Sequence, residues 1–274
     1  MKIGSSDISA AYIGSTAINK VYIGSTEVWS SMDADYAAIL NYATTQGYTL
    51  PSASQRLLQE QLIVDLKNAG IWTKLDILYV FATDGDSDFA SVNWKDPNNY
   101  KITQVNSPSF TSNLGFTGDA TSAYLDTNYI PSTNGVNFTL NDASAMYYRE
   151  NNANATTFTM GNKNNDLCNN FREDNNNRIW LNSGRSLTSA DGTGGGFFMI
   201  TRNNSSTSTH YKGTSATTLS NPSTNVGASE VVALAGASTV GFSASTLQIL
   251  SLGADLSSEV SDYKNSCDSY ITSL

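Results

Sequence analysis

The stretch Ile77-Leu78-Tyr79-Val80-Phe81-Ala82 holds six apolar residues in unbroken succession. A run this short, rich in β-branched and aromatic side chains, reads as a strand buried on both faces. The same texture continues to about Gly253. Short apolar runs recur at Ala123-Tyr124-Leu125, Ala145-Met146-Tyr147-Tyr148, Thr157-Phe158-Thr159-Met160, Arg178-Ile179-Trp180-Leu181, Gly196-Phe197-Phe198-Met199-Ile200 and Val231-Val232-Ala233-Leu234. Asn, Ser, Gly and Asp turns separate them, and that spacing predicts a mainly β fold built as a two-sheet sandwich. The polar stretches Asn162 to Asn177 and Asn203 to Ser220 are expected to be long loops.

Composition supports this reading. Of 274 residues, 37 are Ser, 29 Thr and 29 Asn, whereas charged residues make up only 14%. Short polar side chains favour turns and strand faces over helix interiors. The 14 Tyr, 10 Phe and 4 Trp supply core material. A net charge of −9 argues against a nucleic-acid partner. No apolar run approaches the length of a membrane span, and the first residues lack the apolar stretch of a signal peptide. Cys168 and Cys267 form no metal motif and are expected to be free, buried thiols.

Before the β region, residues 1–30 contain a tenfold repeat: Ile3-Gly4-Ser5-Ser6, Ile13-Gly14-Ser15-Thr16 and Ile23-Gly24-Ser25-Thr26. Ile18 and Val28 also correspond, as do Tyr12 and Tyr22. Each unit is read as one short strand followed by a Gly-Ser reversal, with Ala17 to Ile23 as a single strand. Three such strands are marginal alone. Docking on other proteins, or on copies of this chain, is expected through Ile3, Gly4, Ile13, Gly14, Tyr22, Ile23, Gly24 and Val28; packing on its own chain is the alternative.

Residues 31–70 predict a helical hairpin. Asp33 and Asp35 open the first helix, Gly47 ends it, and Ser52-Ala53-Ser54-Gln55 is a capping box for the second. Its apolar stripe is expected to pack on the following domain or to seal an oligomer axis. A last helix with Val260, Tyr263, Cys267, Tyr270, Ile271 and Leu274 on its buried face closes a domain spanning residues 71–274.

Three chemical sites are candidates. Asp84, Asp86 and Asp88 place carboxylates at alternate positions of a turn, a donor set that could hold calcium, although the chain does not match a helix-loop-helix calcium loop. The alternative is a solvated acidic turn. Asn176, Asn177, Arg178 and Trp180, and separately His210 with Tyr211 in the second polar stretch, offer aromatic surface beside hydrogen-bonding groups, the chemistry of glycan recognition. The alternatives are a core role for Trp180 and an exposed, idle His210. Glu150 and Glu173 suggest no acid pair, and no serine lies in a nucleophile elbow.

The Tyr-Ile-Gly-Ser-Thr repeats resemble the opening of virion proteins of tailed bacteriophages. The remainder resembles the concanavalin A-like (laminin-G-type) jelly rolls of phage fibres. The carrying segments are Leu75-Asp76 with Tyr79 to Ala82, Ala90 to Pro97, Gly115-Phe116-Thr117-Gly118, Ala123 to Thr127, and Phe242 with Ile249 to Ser257. The resemblance implies a non-enzymatic fibre or spike subunit on the virion surface, trimeric, anchored through residues 1–30, with a lectin-like domain for host-surface glycans. A head fibre or decoration without a ligand is the alternative, and a polysaccharide-cleaving spike a lesser one. It implies no cofactor other than calcium, and neither a nucleic-acid nor a membrane partner.

Overall fold

The computed structural model describes residues 2–3, 6–7, 11–13, 16–18, 20–23, 26–151, 157–164, 169–172, 179–184 and 193–274, without side chains for residues 2–30 and 169–172. The tenfold repeat forms hairpins rather than single strands. β1 (Lys2–Ile3) pairs with β2 (Ser6–Asp7), β3 (Ala11–Ile13) with β4 (Thr16–Ile18), and β5 (Lys20–Ile23) with β6 (Thr26–Ser30). Ile3 pairs with Ser6, Ile13 with Thr16 and Ile23 with Thr26, so each Gly-Ser dipeptide joins two directly paired residues. The expected strand from Ala17 to Ile23 is therefore divided between β4 and β5. Gly4, Gly14 and Gly24 lie outside the described residues.

Helices α1 (Ala34–Gln46) and α2 (Ala53–Asn68) match the predicted hairpin. The Asp33 carboxylate accepts the Asp35 and Tyr36 amides, and Gly47 takes φ +77°, the left-handed conformation that terminates helices. The capping box forms by half. Ser52 Oγ accepts the Gln55 amide at 3.3 Å, but the Ser52 amide donates to Asp84 Oδ1 at 3.0 Å. Gln55 is drawn inward instead, to Thr83 Oγ1 and the Asp84 amide.

Beyond these, the described residues contain short helices α3 (Ser87–Ala90) and α4 (Pro131–Asn134), a closing helix α5 (Val260–Thr272) and fourteen strands. These are β7 (Leu75–Val80), β8 (Thr103–Val105), β9 (Ser109–Thr111), β10 (Gly115–Thr117), β11 (Tyr124–Asp126), β12 (Ala143–Arg149) and β13 (Phe158–Asn162), followed by β14 (Asn169–Arg172), β15 (Ile179–Leu181), β16 (Gly196–Arg202), β17 (Ser208–Lys212), β18 (Ser215–Leu219), β19 (Val231–Ala233) and β20 (Thr246–Gly253). An eight-stranded antiparallel sheet runs β18-β17-β16-β12-β20, and beyond β20 its edge is shared end to end by β7 and the β10-β9 hairpin. A six-stranded sheet runs β15-β14-β13-β19-β11-β8. Gly115 makes the β10 junction possible: its φ is +99°, and a Cβ there would lie 2.2 Å from Leu247 O.

Three layers result. Ile77, Tyr79, Phe81, Tyr147, Phe198 and Leu250 of the large sheet meet Leu125, Met160, Ile179, Leu181 and Val231 of the small one in the inner core. The opposite face of the large sheet presents Leu78, Val80, Met146, Phe197, Met199 and Ile249 to Tyr36, Ile39, Leu62, Ile63 and Leu66 of the hairpin and to Tyr263, Cys267 and Tyr270 of α5. The helical stripe thus packs on the sheet rather than sealing an oligomer axis, and the expected boundary at 70/71 divides no core. The stretch 203–220, expected as a loop, holds the β17-β18 hairpin. Cys267 is a free, buried thiol, and burial pushes it well above the ordinary thiol range; Cys168 lies outside the described residues.

Candidate functional site

The acidic turn supports local structure. Asp84 accepts the Ser52 amide, Asp86 accepts the amides of Thr49 (2.6 Å) and Phe89 (2.8 Å), and Asp88 pairs with Lys101 Nζ at 2.7 Å. Three carboxylates with three different duties do not converge on a cation. Among the described residues no three His, Cys, Asp or Glu side chains are placed to hold a metal. Helix ends and a neighbouring ammonium engage these groups instead.

Of the expected glycan residues, Asn177 and Arg178 lie outside the described residues, as does Asn176. Trp180 is buried in β15, between Ile179 and Leu181 of the inner core, and its indole N–H has no hydrogen-bond partner among the described residues. His210 and Tyr211 belong to strand β17, not to a loop. His210 is opposite Ile200 and stacks near Phe198, inside the sandwich. Tyr211 is opposite Met199 and joins the helical side. Neighbours in a strand face opposite ways, so these two side chains cannot form one site.

What the structure brings together instead lies on the outer face of the small sheet. Leu125 faces inward, so Tyr124 and Asp126 face outward from β11. Asp126 is only 3% exposed. Its Oδ1 accepts the Asn128 amide at 2.9 Å and its Oδ2 accepts Lys163 Nζ at 2.7 Å. Glu230 Oε1 lies 3.6 Å from the same ammonium. The Lys163 amide also donates to Glu230 O, and the Ser238 amide to Lys163 O, which fixes the lysine's backbone. The Asp126 hydrogen bond raises the Lys163 ammonium above its ordinary value, against a smaller opposing effect of burial. Beside this network Tyr124 and Phe242 hold ring centroids 6.2 Å apart at 37°, with Val105 and Val232 around them. Burial raises the Tyr124 phenol, so at neutral pH its ring is uncharged.

The arrangement offers an ammonium, a half-buried carboxylate and an aromatic edge on one face. Lys163 is a third exposed, so it can donate outward while held by Asp126. Glu230 can accept from the same ligand group. Paired donors and acceptors next to an apolar ring suit vicinal hydroxyls of a sugar. Sequence reading missed this set because its members come from β11, the end of β13 and the approach to β19. One signal was present: Asp126 ends an apolar strand run, and an acid buried there requires a charged or amide partner.

No family model matches the chain, and no curated protein sequence does. Solved structures resemble it as follows. A mutant of Trypanosoma rangeli sialidase displaying trans-sialidase activity is 13% identical with a TM-score of 0.49, over 80% of this chain and 40% of that one. The botulinum neurotoxin serotype D binding domain is 8% identical with a TM-score of 0.47, over 73% of this chain and 52% of that one. Domain 4 of an extracellular arabinanase from Geobacillus stearothermophilus, in complex with arabinotriose, is 13% identical with a TM-score of 0.42, over 70% of this chain and 98% of that one. The chain thus spans about half or less of the length of the sialidase and toxin chains.

Proposed function

We propose that the chain is a non-catalytic, glycan-binding subunit of a virion-type assembly, a homotrimer held to neighbouring virion proteins by the hairpins of residues 2–30. The observation that carries the binding half is the Lys163 ammonium shared between Asp126 and Glu230 beside Tyr124 and Phe242. The attachment half is supported by three repeated hairpins, each paired within itself and joined to neither main sheet. A two-stranded hairpin is marginal alone, so it gains from a partner sheet. A catalytic reading has less support. His210 is enclosed in the sandwich, and Glu150 stands exposed just beyond the end of β12 in the same sheet.

A glycan array probed with the full chain tests the binding half. Binding to a neutral host-surface glycan, lost in Lys163→Ala and Glu230→Ala, is the expected result. No binding to any host-derived glycan would move the protein to the ligand-free decoration reading, and release of reducing ends would revive the polysaccharide-cleaving one. For the attachment half, a chain lacking residues 1–30 should fold yet be absent from assembled particles.

A further inference from the structure

We infer that a cleft at the end of the large sheet is a second ligand site, taking a neutral, hydroxyl-bearing ring about the size of one or two sugar units. The cleft has a volume of about 400 Å³ and lies between the β9-β10 turn, the ends of β12 and β20, and the C-terminal end of α5. Its walls are apolar: Leu114, 37% exposed, stands on one side, with Ile271 and Leu274 on the other. Tyr148 adds an aromatic wall, fixed by donating its hydroxyl to Asp268 Oδ1 at 3.0 Å.

The floor is Gln248. Opposite it, Tyr148 pairs with Ile249 and Arg149 with Leu247, so Gln248 is the extra residue of a β-bulge. The other edge of β20 breaks at the same place, where β7 ends opposite Ile249 and β10 begins opposite Leu247. The backbone is satisfied, since Gln248 O accepts the amides of Phe81 (2.8 Å) and Ala82 (3.1 Å). The side chain is not. The residue is 4% exposed, lines the cleft, and its amide has no hydrogen-bond partner among the described residues. Bulges commonly re-aim a side chain beside a binding site. Held among buried neighbours but open to the cleft, the amide is paired by whatever occupies the cleft, water or a ligand group.

The chemistry selects the ligand. An amide presents one donor group and one acceptor, which suits hydroxyls, themselves both. Asn113 Oδ1 is occupied by Gln55 Nε2 at 2.6 Å, which leaves its Nδ2 as a further donor. Glu150, exposed at the rim, repels anions and accepts from hydroxyls. Leu114, Ile271 and Tyr148 offer a surface for the apolar face of a ring. Arg149 takes no part: its guanidinium lies inside the sandwich, 4.8 Å from the Phe198 ring and bonded to Gly194 O. This site shares no residue with the Lys163 face and does not depend on it.

NMR of the ¹⁵N-labelled full chain, titrated with methyl α-glucoside, methyl β-galactoside and N-acetylglucosamine at millimolar concentration, is the test. At least one of the three should shift the Gln248 side-chain amide. Leu114→Trp, which fills the cleft from an exposed position, should weaken that response by about tenfold. Lys163→Ala should leave it unchanged. A Gln248 amide that none of the three sugars moves, or a response retained in full in Leu114→Trp, overturns the proposal.

Discussion

The two sheets share one core and part company on their outer faces. The large sheet is apolar on both sides, because α1, α2 and α5 cover the face that the small sheet does not. All eight residues of β20 are buried. The small sheet turns Asp126 and Tyr124 outward, with Lys163 beside them, and no described helix packs there. A doubly covered sheet offers ligands only its ends, which is where the Gln248 cleft lies. A singly covered sheet offers a face. The difference divides the molecule into a part that must be dry to hold together and a part whose polar groups the fold can spare.

Alkali should strike the dry part hardest. Burial holds the phenols of Tyr36, Tyr79, Tyr129, Tyr263 and Tyr270 above their ordinary value. In the unfolded chain they ionise near pH 10. Raised folded values mean stability that is complete below about pH 10 and lost as the pH rises beyond it. One pH unit above that point the loss is roughly 1.4 kcal/mol per tyrosine. Absorbance near 295 nm should show these phenols ionising together with unfolding. Gradual ionisation of the native protein below the unfolding pH would break the comparison.

Core truncation sharpens it. Leu250 faces the inner core and Leu78 the helices, and both are fully buried. Either change to Ala should cost about 2–5 kcal/mol in urea unfolding. If the helical layer were a loosely attached hairpin, Leu78→Ala would cost far less than Leu250→Ala, and the three-layer account would fail.

The interface between helices and sheet also carries a polar network. Tyr36 Oη donates to Gln59 Oε1 at 2.7 Å, Gln59 Nε2 donates to Thr83 Oγ1 and Tyr270 Oη, and Tyr270 Oη donates to Ala82 O at 2.6 Å. Gln59→Leu leaves the Tyr36 hydroxyl without its acceptor and takes a donor from Thr83 and Tyr270, and should cost about 1–3 kcal/mol. Tyr270→Phe should cost a similar amount. A neutral result in both would show that water substitutes freely there, contrary to a dry interface.

These contrasts were unevenly legible in the sequence. The run Ile77 to Ala82 announced a strand covered on both faces, and Asp33, Gly47 and Ser52 announced the helix ends, because caps act over three or four residues. The hairpin β17-β18 was hidden. Ser208-Thr209-His210-Tyr211-Lys212 and Ser215-Ala216-Thr217-Thr218-Leu219 are polar because β18 is the sheet's edge and most of its residues are solvent-exposed. His210 is enclosed only because β16 and the small sheet cover it, a tertiary fact with no local signature. The candidate site was equally hidden. Asp126, Lys163 and Glu230 meet only once β11, β13 and β19 lie side by side, and Gln248 becomes a floor only through a bulge.

The smallest effect on stability is expected where the effect on binding is largest. Lys163 is a third exposed, and ion pairs at such positions contribute about 0–1 kcal/mol after screening. Lys163→Met keeps the aliphatic stem and removes the charge, so the fold should lose no more than about that amount. The hydrogen bond to Asp126 raises the lysine's folded value, so the wild-type advantage should be complete below the unfolded lysine value, near pH 10.4, and fade as the pH rises past the folded one. Glycan affinity in the same variant should fall by about tenfold or more, because the ammonium is the donor held toward solvent. If stability dropped by several kcal/mol instead, the outer face would be as structural as the inner one. If both stability and affinity were unchanged, the ammonium would be a bystander, and the ligand would have to be sought on Tyr124 and Phe242 alone.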